Sequence, residues 1–131
     1  MMLLPQPLRA RLLANGAAAR ETDHIPVLKL FNPVGAATWL ATELDSDGDT
    51  LFGLADLGFG CSELGSFSLS EIAGVRVRFG LSIERDLHFA PRFPMSVYAE
   101  AARLAGRIVE QDELLQAVAV RLASKLPRAS G

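Results

Sequence analysis

The chain has 131 residues, of which 50% are apolar and 21% charged, a composition that fits one globular domain and excludes a disordered chain. Its apolar runs are much shorter than the ~20 residues that cross a bilayer, and two prolines and an arginine interrupt its first ten residues, so we expect neither a membrane span nor a secretion signal. With 15 acidic and 13 basic side chains and the single Cys61, the sequence excludes an internal disulfide and leads us to expect a cytoplasmic protein.

Charge is distributed unevenly along the sequence. Residues 1–29 have a net charge of +2, residues 30–75 contain seven acids and no Lys or Arg, and residues 76–131 have a net charge of +3. A middle segment that contains only acidic charges either faces the basic segments on each side of it or presents a negative electrostatic field to a partner. Because the chain as a whole carries a formal charge of −2, direct binding to nucleic acid is not expected.

The first half of the chain predicts a helix followed by three strands. Leucines recur at helical spacing from Leu4, and Asn15-Gly16 is typical of a helix end. A β-forming segment then ends before Pro33, and two further apolar runs flank the turn-forming stretch DSDGDT. The predicted elements are a helix over about residues 5–14, a strand over 25–31, and a hairpin of strands over 37–44 and 51–57.

The stretch after this hairpin predicts a short helix and a fourth strand. Ser68 and Glu71 have the spacing of a capping box, while Phe67 and Ile72 have that of a hydrophobic staple. Residues 82–89 then alternate between apolar and polar side chains, which is typical of a half-buried strand.

A stripe of apolar residues at helical spacing follows toward the C-terminus. It predicts either one long helix or two helices broken near Gly106 or Glu110. The stripe consists of Val97, Ala101, Leu104, Ile108, Leu115, Val118 and Leu122. Its seven-residue recurrence would allow a homodimer through this helix, as the alternative to packing against the protein's own sheet.

The order of these elements predicts an α+β fold. We expect a mostly antiparallel sheet of about four strands, covered on one face by an N-terminal helix, a short middle helix and a C-terminal helix or helix pair. Residues 1–126 form a single domain in this prediction, and residues 127–131 form a flexible tail.

The acidic segment does not have the spacing of a paired-carboxylate active site. If Asp45 faces Thr50 across the hairpin, Glu43 pairs with Phe52 and Trp39 pairs with Asp56. Glu43 and Asp56 then share a sheet face but lie about 13 Å apart, at ~3.3 Å per residue. This distance exceeds the ~5–9.5 Å that separates the carboxyls in glycoside hydrolysis.

Metal signals are also weak in the sequence. The aspartates of the hairpin turn resemble a calcium loop, but Thr50 stands where that loop needs glycine. Asp86 and His88, two apart on the fourth predicted strand, are the candidate metal ligands. A metal-dependent hydrolase or nuclease is therefore the alternative function, and it requires tertiary folding to bring further carboxylates to this pair.

The leading hypothesis is a non-enzymatic interaction protein that uses its acidic hairpin and the following loop, residues 43–63, to contact a basic protein. No cofactor is expected. The predicted binding residues are Glu43, Asp45, Asp47, Asp49, Asp56 and Glu63.

Several short motifs in order resemble a known bacterial family over roughly residues 1–108. They are DHIPVLKLF at 23–31, TWLATELD at 38–45, FGLADLG at 52–58, ELG at 63–65 and ERD at 84–86. The family is catalogued as domain of unknown function 2958. The resemblance implies an accessory role in bacterial mobile DNA or in countering host defence, and it implies no activity, cofactor or catalytic residue. The seven acids of residues 30–75, independently of the resemblance, are compatible with mimicking DNA on a basic protein surface.

Overall fold

The chain forms an antiparallel sheet flanked by helices in a computed structural model that describes residues 3–19 and 22–125. The predicted tail, 127–131, lies outside the described residues, as does residue 126 at the end of the predicted domain. The helices are α1 (Gln6–Gly16), α2 (Leu69–Gly74), α3 (Met95–Ala105) and α4 (Asp112–Lys125), and a 3₁₀ turn covers Arg78–Gly80. The strands are β1 (Leu28–Phe31), β2 (Thr38–Leu44), β3 (Thr50–Asp56), β4 (Ser62–Ser68) and β5 (Glu84–Arg85).

The α+β prediction is confirmed, with one more strand than expected among the described residues. The sheet order is β4-β3-β2-β1-β5, and every neighbouring pair is antiparallel. The strand that the sequence did not predict is β4, which pairs with β3 along all seven of its residues. The predicted strand over 82–89 is real only at Glu84–Arg85, because the chain turns after Arg85.

Helices cover both faces of the sheet, which corrects the expectation of one covered face. On one face, Leu12 of α1 and Ile72 of α2 belong to the same buried cluster as Leu51 of β3. On the other face, Leu40 and Leu54 belong to a second cluster with α3 and α4. Side chains alternate between the two faces of a strand, so a strand with apolar residues at adjacent positions contributes side chains to both clusters.

The C-terminal stripe forms two helices rather than one. Gly106 ends α3 in the left-handed region, with a φ of 76°, and its N–H donates to the carbonyl of Ala102. Glycine adopts this conformation without steric cost, which is why it commonly ends helices. Most of the stripe packs inside the chain, since Ala101 and Leu115 are 0% and 1% exposed in the cluster with the sheet, whereas Leu104 is 46% exposed.

A β-bulge in β2 changes the register of the predicted hairpin. Glu43 pairs with Phe52 as predicted, but Thr42 is an extra residue. Trp39 therefore pairs with Ala55, and Asp56 faces Thr38 instead. No helix in the described part of the chain is long and apolar enough to cross a membrane.

Candidate functional site

The β2–β3 turn holds the first cluster of predicted site residues, and its backbone is organised by Asp47. One carboxylate oxygen of Asp47 accepts hydrogen bonds from the backbone N–H groups of Asp49 and Thr50, both at 2.8 Å, and the other accepts from the Thr50 hydroxyl at 2.6 Å. The Thr50 hydroxyl, followed by these two N–H groups, lowers the pKa of Asp47 below its ordinary value. The side chain is exposed, so its charge stays directed at solvent.

Asp49 connects this turn to the start of α2. Its carboxylate accepts from the Ser68 hydroxyl at 2.6 Å and from the backbone N–H of Ser70 at 2.8 Å. These bonds, the Ser68 hydroxyl first, lower the pKa of Asp49. Ser68 is also the N-cap of α2 and accepts from the backbone N–H of Glu71 at 3.2 Å, which confirms half of the predicted capping box. The exposed Glu71 is thereby placed at the same end of the sheet as the turn.

We call this region the acidic end, and it comprises Glu43, Asp45, Asp47, Asp49 and Glu71. None of these five carboxylates forms an ion pair with a residue that the structure describes. Arg9 of α1 reaches the turn, but its guanidinium donates to the carbonyl oxygen of Gly48 at 3.3 Å rather than to a carboxylate. The acidic end is therefore a group of exposed and partly exposed carboxylates that form no ion pair with the described chain.

Two of the predicted binding residues lie at the opposite end of the hairpin. Asp56 is six positions from Thr50 along β3, a distance of roughly 20 Å. Glu63 pairs with Ala55 at that same far end and is exposed. The six acids predicted as one contact surface are therefore divided between the two ends of the sheet.

Asp56 is buried, which corrects its predicted place on the outer surface. Asp56 is 4% exposed, and each of its two carboxylate oxygens accepts a hydrogen bond. One accepts from the backbone N–H of Gly58 at 2.9 Å and the other from that of Ile108, also at 2.9 Å. A buried carboxylate with both oxygens bonded to backbone amides holds the structure together and does not contact a partner.

Asp86 of the alternative metal pair is engaged in other contacts. Asp86 accepts a hydrogen bond from the backbone N–H of His88 at 2.8 Å, and its other oxygen lies 3.2 Å from Nζ of Lys29. Across residues 3–19 and 22–125, no three His, Cys, Asp or Glu side chains are grouped so that they could hold a metal ion. The structure therefore gives the pair no third ligand from this part of the chain.

Lys29 is a functional candidate that the sequence did not reveal. It lies between Asp86 and Glu110, whose carboxylate oxygens are 3.2 Å and 2.5 Å from Nζ. Burial acts to lower the pKa of Lys29, but Glu110 and Asp86 together raise it above its ordinary value. Burial likewise acts to raise the pKa of Asp86, but the N–H of His88 and the charge of Lys29 lower it overall. No local spacing could have indicated this cluster, because Lys29 and Glu110 are 81 residues apart.

Comparison with known proteins gave one match. The family model described as "Protein of unknown function (DUF2958)" matches residues 3–109. This range includes the sheet and the helices from α1 to α3, and it ends before α4. No curated protein and no solved structure matches the chain.

Proposed function

The chain belongs to the DUF2958 family of proteins of unknown function, and we propose that it is a protein-interaction module whose acidic end binds a basic protein. The observation that carries this proposal is the group of five carboxylates at one end of the sheet with no ion pair in the described chain. Both faces of the sheet are covered by apolar clusters. The carboxylates at its end are therefore the chemical feature of the hairpin that is available to a partner.

The hydrogen bonds of the turn support a binding role because they fix the charges in place. Asp47 and Asp49 are held by backbone and hydroxyl donors, so little conformational entropy is lost when a partner pairs with them. The lowered pKa values of both groups keep them ionised in mildly acidic solution. A basic partner would thus meet a rigid negative surface.

A DNA-binding protein is the class of partner that fits best. Such proteins present basic faces that are built to neutralise phosphates, and carboxylates at the acidic end are complementary to the same faces. This choice agrees with the accessory role in mobile elements that the family resemblance implies. The chain would occupy a basic surface and would not catalyse a reaction in this proposal.

An oligolysine of eight residues is a suitable first probe, and amide NMR shifts of the full chain locate its binding. We expect saturable shifts at residues 43–50 and 68–72, which weaken steeply as salt rises. The reason is that the screening length falls from ~10 Å at 0.1 M to ~3 Å at 1 M salt.

Matched charge variants test whether the position of the acids matters. Asp45→Asn with Glu71→Gln removes two charges at the acidic end, while Glu63→Gln with Glu113→Gln removes two exposed charges elsewhere. Both pairs change the net charge equally, and neither removes a hydrogen bond that a carboxylate of the turn accepts. We expect only the first pair to weaken oligolysine binding. An equal loss in both pairs would mean that total charge alone attracts the probe, and the proposal would be wrong.

A further inference from the structure

A cleft beside α1 is lined by more cationic than acidic side chains. It has a volume of about 340 Å³ and lies between α1, the segment leading into β1, and the segment from β5 to Pro91. Its charged lining consists of Arg11, Lys29, Arg85 and Asp86. Three cations and one carboxylate give the cleft a positive balance, although the chain is acidic overall.

The single carboxylate of the cleft is already paired. Asp86 interacts with Lys29, and Lys29 in turn contacts Glu110. The guanidinium groups of Arg11 and Arg85 form no ion pair and no hydrogen bond with the described residues. The positive charge that remains free in the cleft therefore comes from two guanidinium groups.

Arg85 carries an unsatisfied donor beside the cleft. Its Nε is buried and makes no hydrogen bond, and it is the one buried side-chain nitrogen or oxygen within the described ranges that has none. Buried polar groups in proteins are almost always hydrogen-bonded, so an orphaned donor of this kind needs an explanation. Arginine cannot lose its proton to escape the cost, because its guanidinium stays charged at any physiological pH.

The geometry points to a binding site for a small organic oxyanion, a carboxylate or phosphomonoester with an apolar body. Guanidinium groups bind such oxygens through two parallel N–H donors, and the guanidinium groups of Arg11 and Arg85 both belong to residues that line the cleft. The uncharged residues of the wall are all apolar in type and include Leu8, Pro26 and Phe89. A volume at the lower end of the range for ligand pockets suits a molecule of the size of a substituted benzene ring. This site is separate from the acidic end, so it adds an anionic ligand to the proposed basic partner.

Phenyl phosphate, benzoate, inorganic phosphate and uncharged benzyl alcohol are the probes, each titrated into the full chain and followed by amide NMR shifts. We expect phenyl phosphate or benzoate to give saturable shifts at residues 8–11, 25–29 and 85–91. Benzyl alcohol should give none, since it has no oxyanion. Inorganic phosphate should bind at least several-fold more weakly than phenyl phosphate, because it leaves the apolar wall unused. The absence of saturable shifts at these residues with every anion would overturn the proposal.

Two variants and a control separate recognition from structure. Arg85→Met should weaken binding of the preferred anion by about tenfold or more, since it removes charge-assisted hydrogen bonds. It should not lower the urea midpoint of the unliganded chain, because the Nε that it removes is unpaired. Arg107→Met makes the same charge change at an exposed arginine outside the cleft and should leave binding unchanged.

Arg11→Gln provides a test that does not depend on the folding of the Arg85 variant. Arg11 is exposed on α1, so its replacement leaves the core intact, and we expect it to weaken anion binding several-fold. If Arg85→Met and Arg11→Gln both bind the anion as tightly as Arg107→Met does, the cleft is not an oxyanion site. Neutralising Asp45 and Glu71 should leave anion binding unaltered, which keeps this result distinct from the oligolysine experiment.

Discussion

At the level of single residues, the acids of the central segment perform different tasks despite their similar chemistry. Asp45 and Asp47 face solvent, while Asp56 is buried and bonds two backbone amides that are far apart in sequence. Through Ile108, Asp56 joins the end of β3 to the connection between α3 and α4. Removing its carboxylate would leave two N–H donors without partners, at about 1–3 kcal/mol each.

Asp56→Ala should therefore lower the free energy of unfolding by about 2–4 kcal/mol, measured by urea denaturation. The exposed Glu63, which lies at the same end of the sheet, is the control, and Glu63→Ala should change the free energy by less than about 0.5 kcal/mol. Similar small losses in the two variants would show that the Asp56 carboxylate contributes little to stability.

The sequence locates part of the candidate site, but it does not show which of the acids lie at the turn surface and which is buried. The composition of DSDGDT places Asp45, Asp47 and Asp49 at a turn, and the structure has them there. The burial of Asp56 could not be predicted, because the N–H of Ile108 is 52 residues away. The cation cleft was equally hidden, since its side chains come from three separate stretches of the chain.

At the level of elements, the sequence was sufficient to predict those helices and hairpins that are stabilised by residues close to them in the chain. Thus α1 and the β2–β3 hairpin lie close to their predicted positions, with shifts of one or two residues at their ends, and α2 begins directly after its predicted cap, Ser68. The strand β4 was missed because SELGSFS is rich in serine and glycine, and its regular ladder with β3 stabilises it. The bulge at Thr42 was also missed, since it depends on how β2 meets Gly53.

Gly53 and Gly65 face each other across β3 and β4, and they provide a matched pair for the next prediction. A Cβ at Gly53 would lie 1.8 Å from the carbonyl oxygen of Leu40 and 2.8 Å from the Cα of Ala41, both backbone atoms of β2. Gly53→Ala should therefore force β2 and β3 apart and cost at least about 3 kcal/mol of unfolding free energy.

Gly65→Ala is the control, because a Cβ there meets no atom within 4 Å. Alanine also has fewer conformations in the unfolded chain than glycine, so this variant should be neutral or more stable by up to about 1 kcal/mol. Thermal and urea unfolding measure both changes. A Gly53→Ala protein as stable as Gly65→Ala would show that the close approach of β2 and β3 at Gly53 is wrong.

At the level of the whole molecule, one sheet separates two apolar clusters and is necessary to both. The cluster with α1 and α2 uses one side of β2 and β3, and the cluster with α3 and α4 uses the other. The sequence could not show this arrangement, because apolar neighbours such as Leu40 and Ala41 fit a strand buried on both faces as well as a turn of helix. It follows that a change that disrupts the packing of one cluster should also destabilise the other.

Leu115→Ala tests this coupling between the two faces of the sheet. Leu115 of α4 is 1% exposed in the cluster with α3, and its truncation should lower the free energy of unfolding by about 2–4 kcal/mol. The only tryptophan of the chain, Trp39, packs against the cluster on the opposite face, so its fluorescence reports unfolding there.

In a cooperative two-state domain, the urea midpoint seen by Trp39 fluorescence should fall by the same amount as the midpoint seen by helical circular dichroism. Val120→Ala is the control on the same helix, because Val120 is 60% exposed and its truncation should change stability by less than about 0.5 kcal/mol. If Leu115→Ala shifts the circular dichroism midpoint while the Trp39 midpoint stays in place, the two faces unfold independently. Coincident shifts would instead mean that α4, which lies beyond the part matched by the family, stabilises the sheet that holds the acidic end.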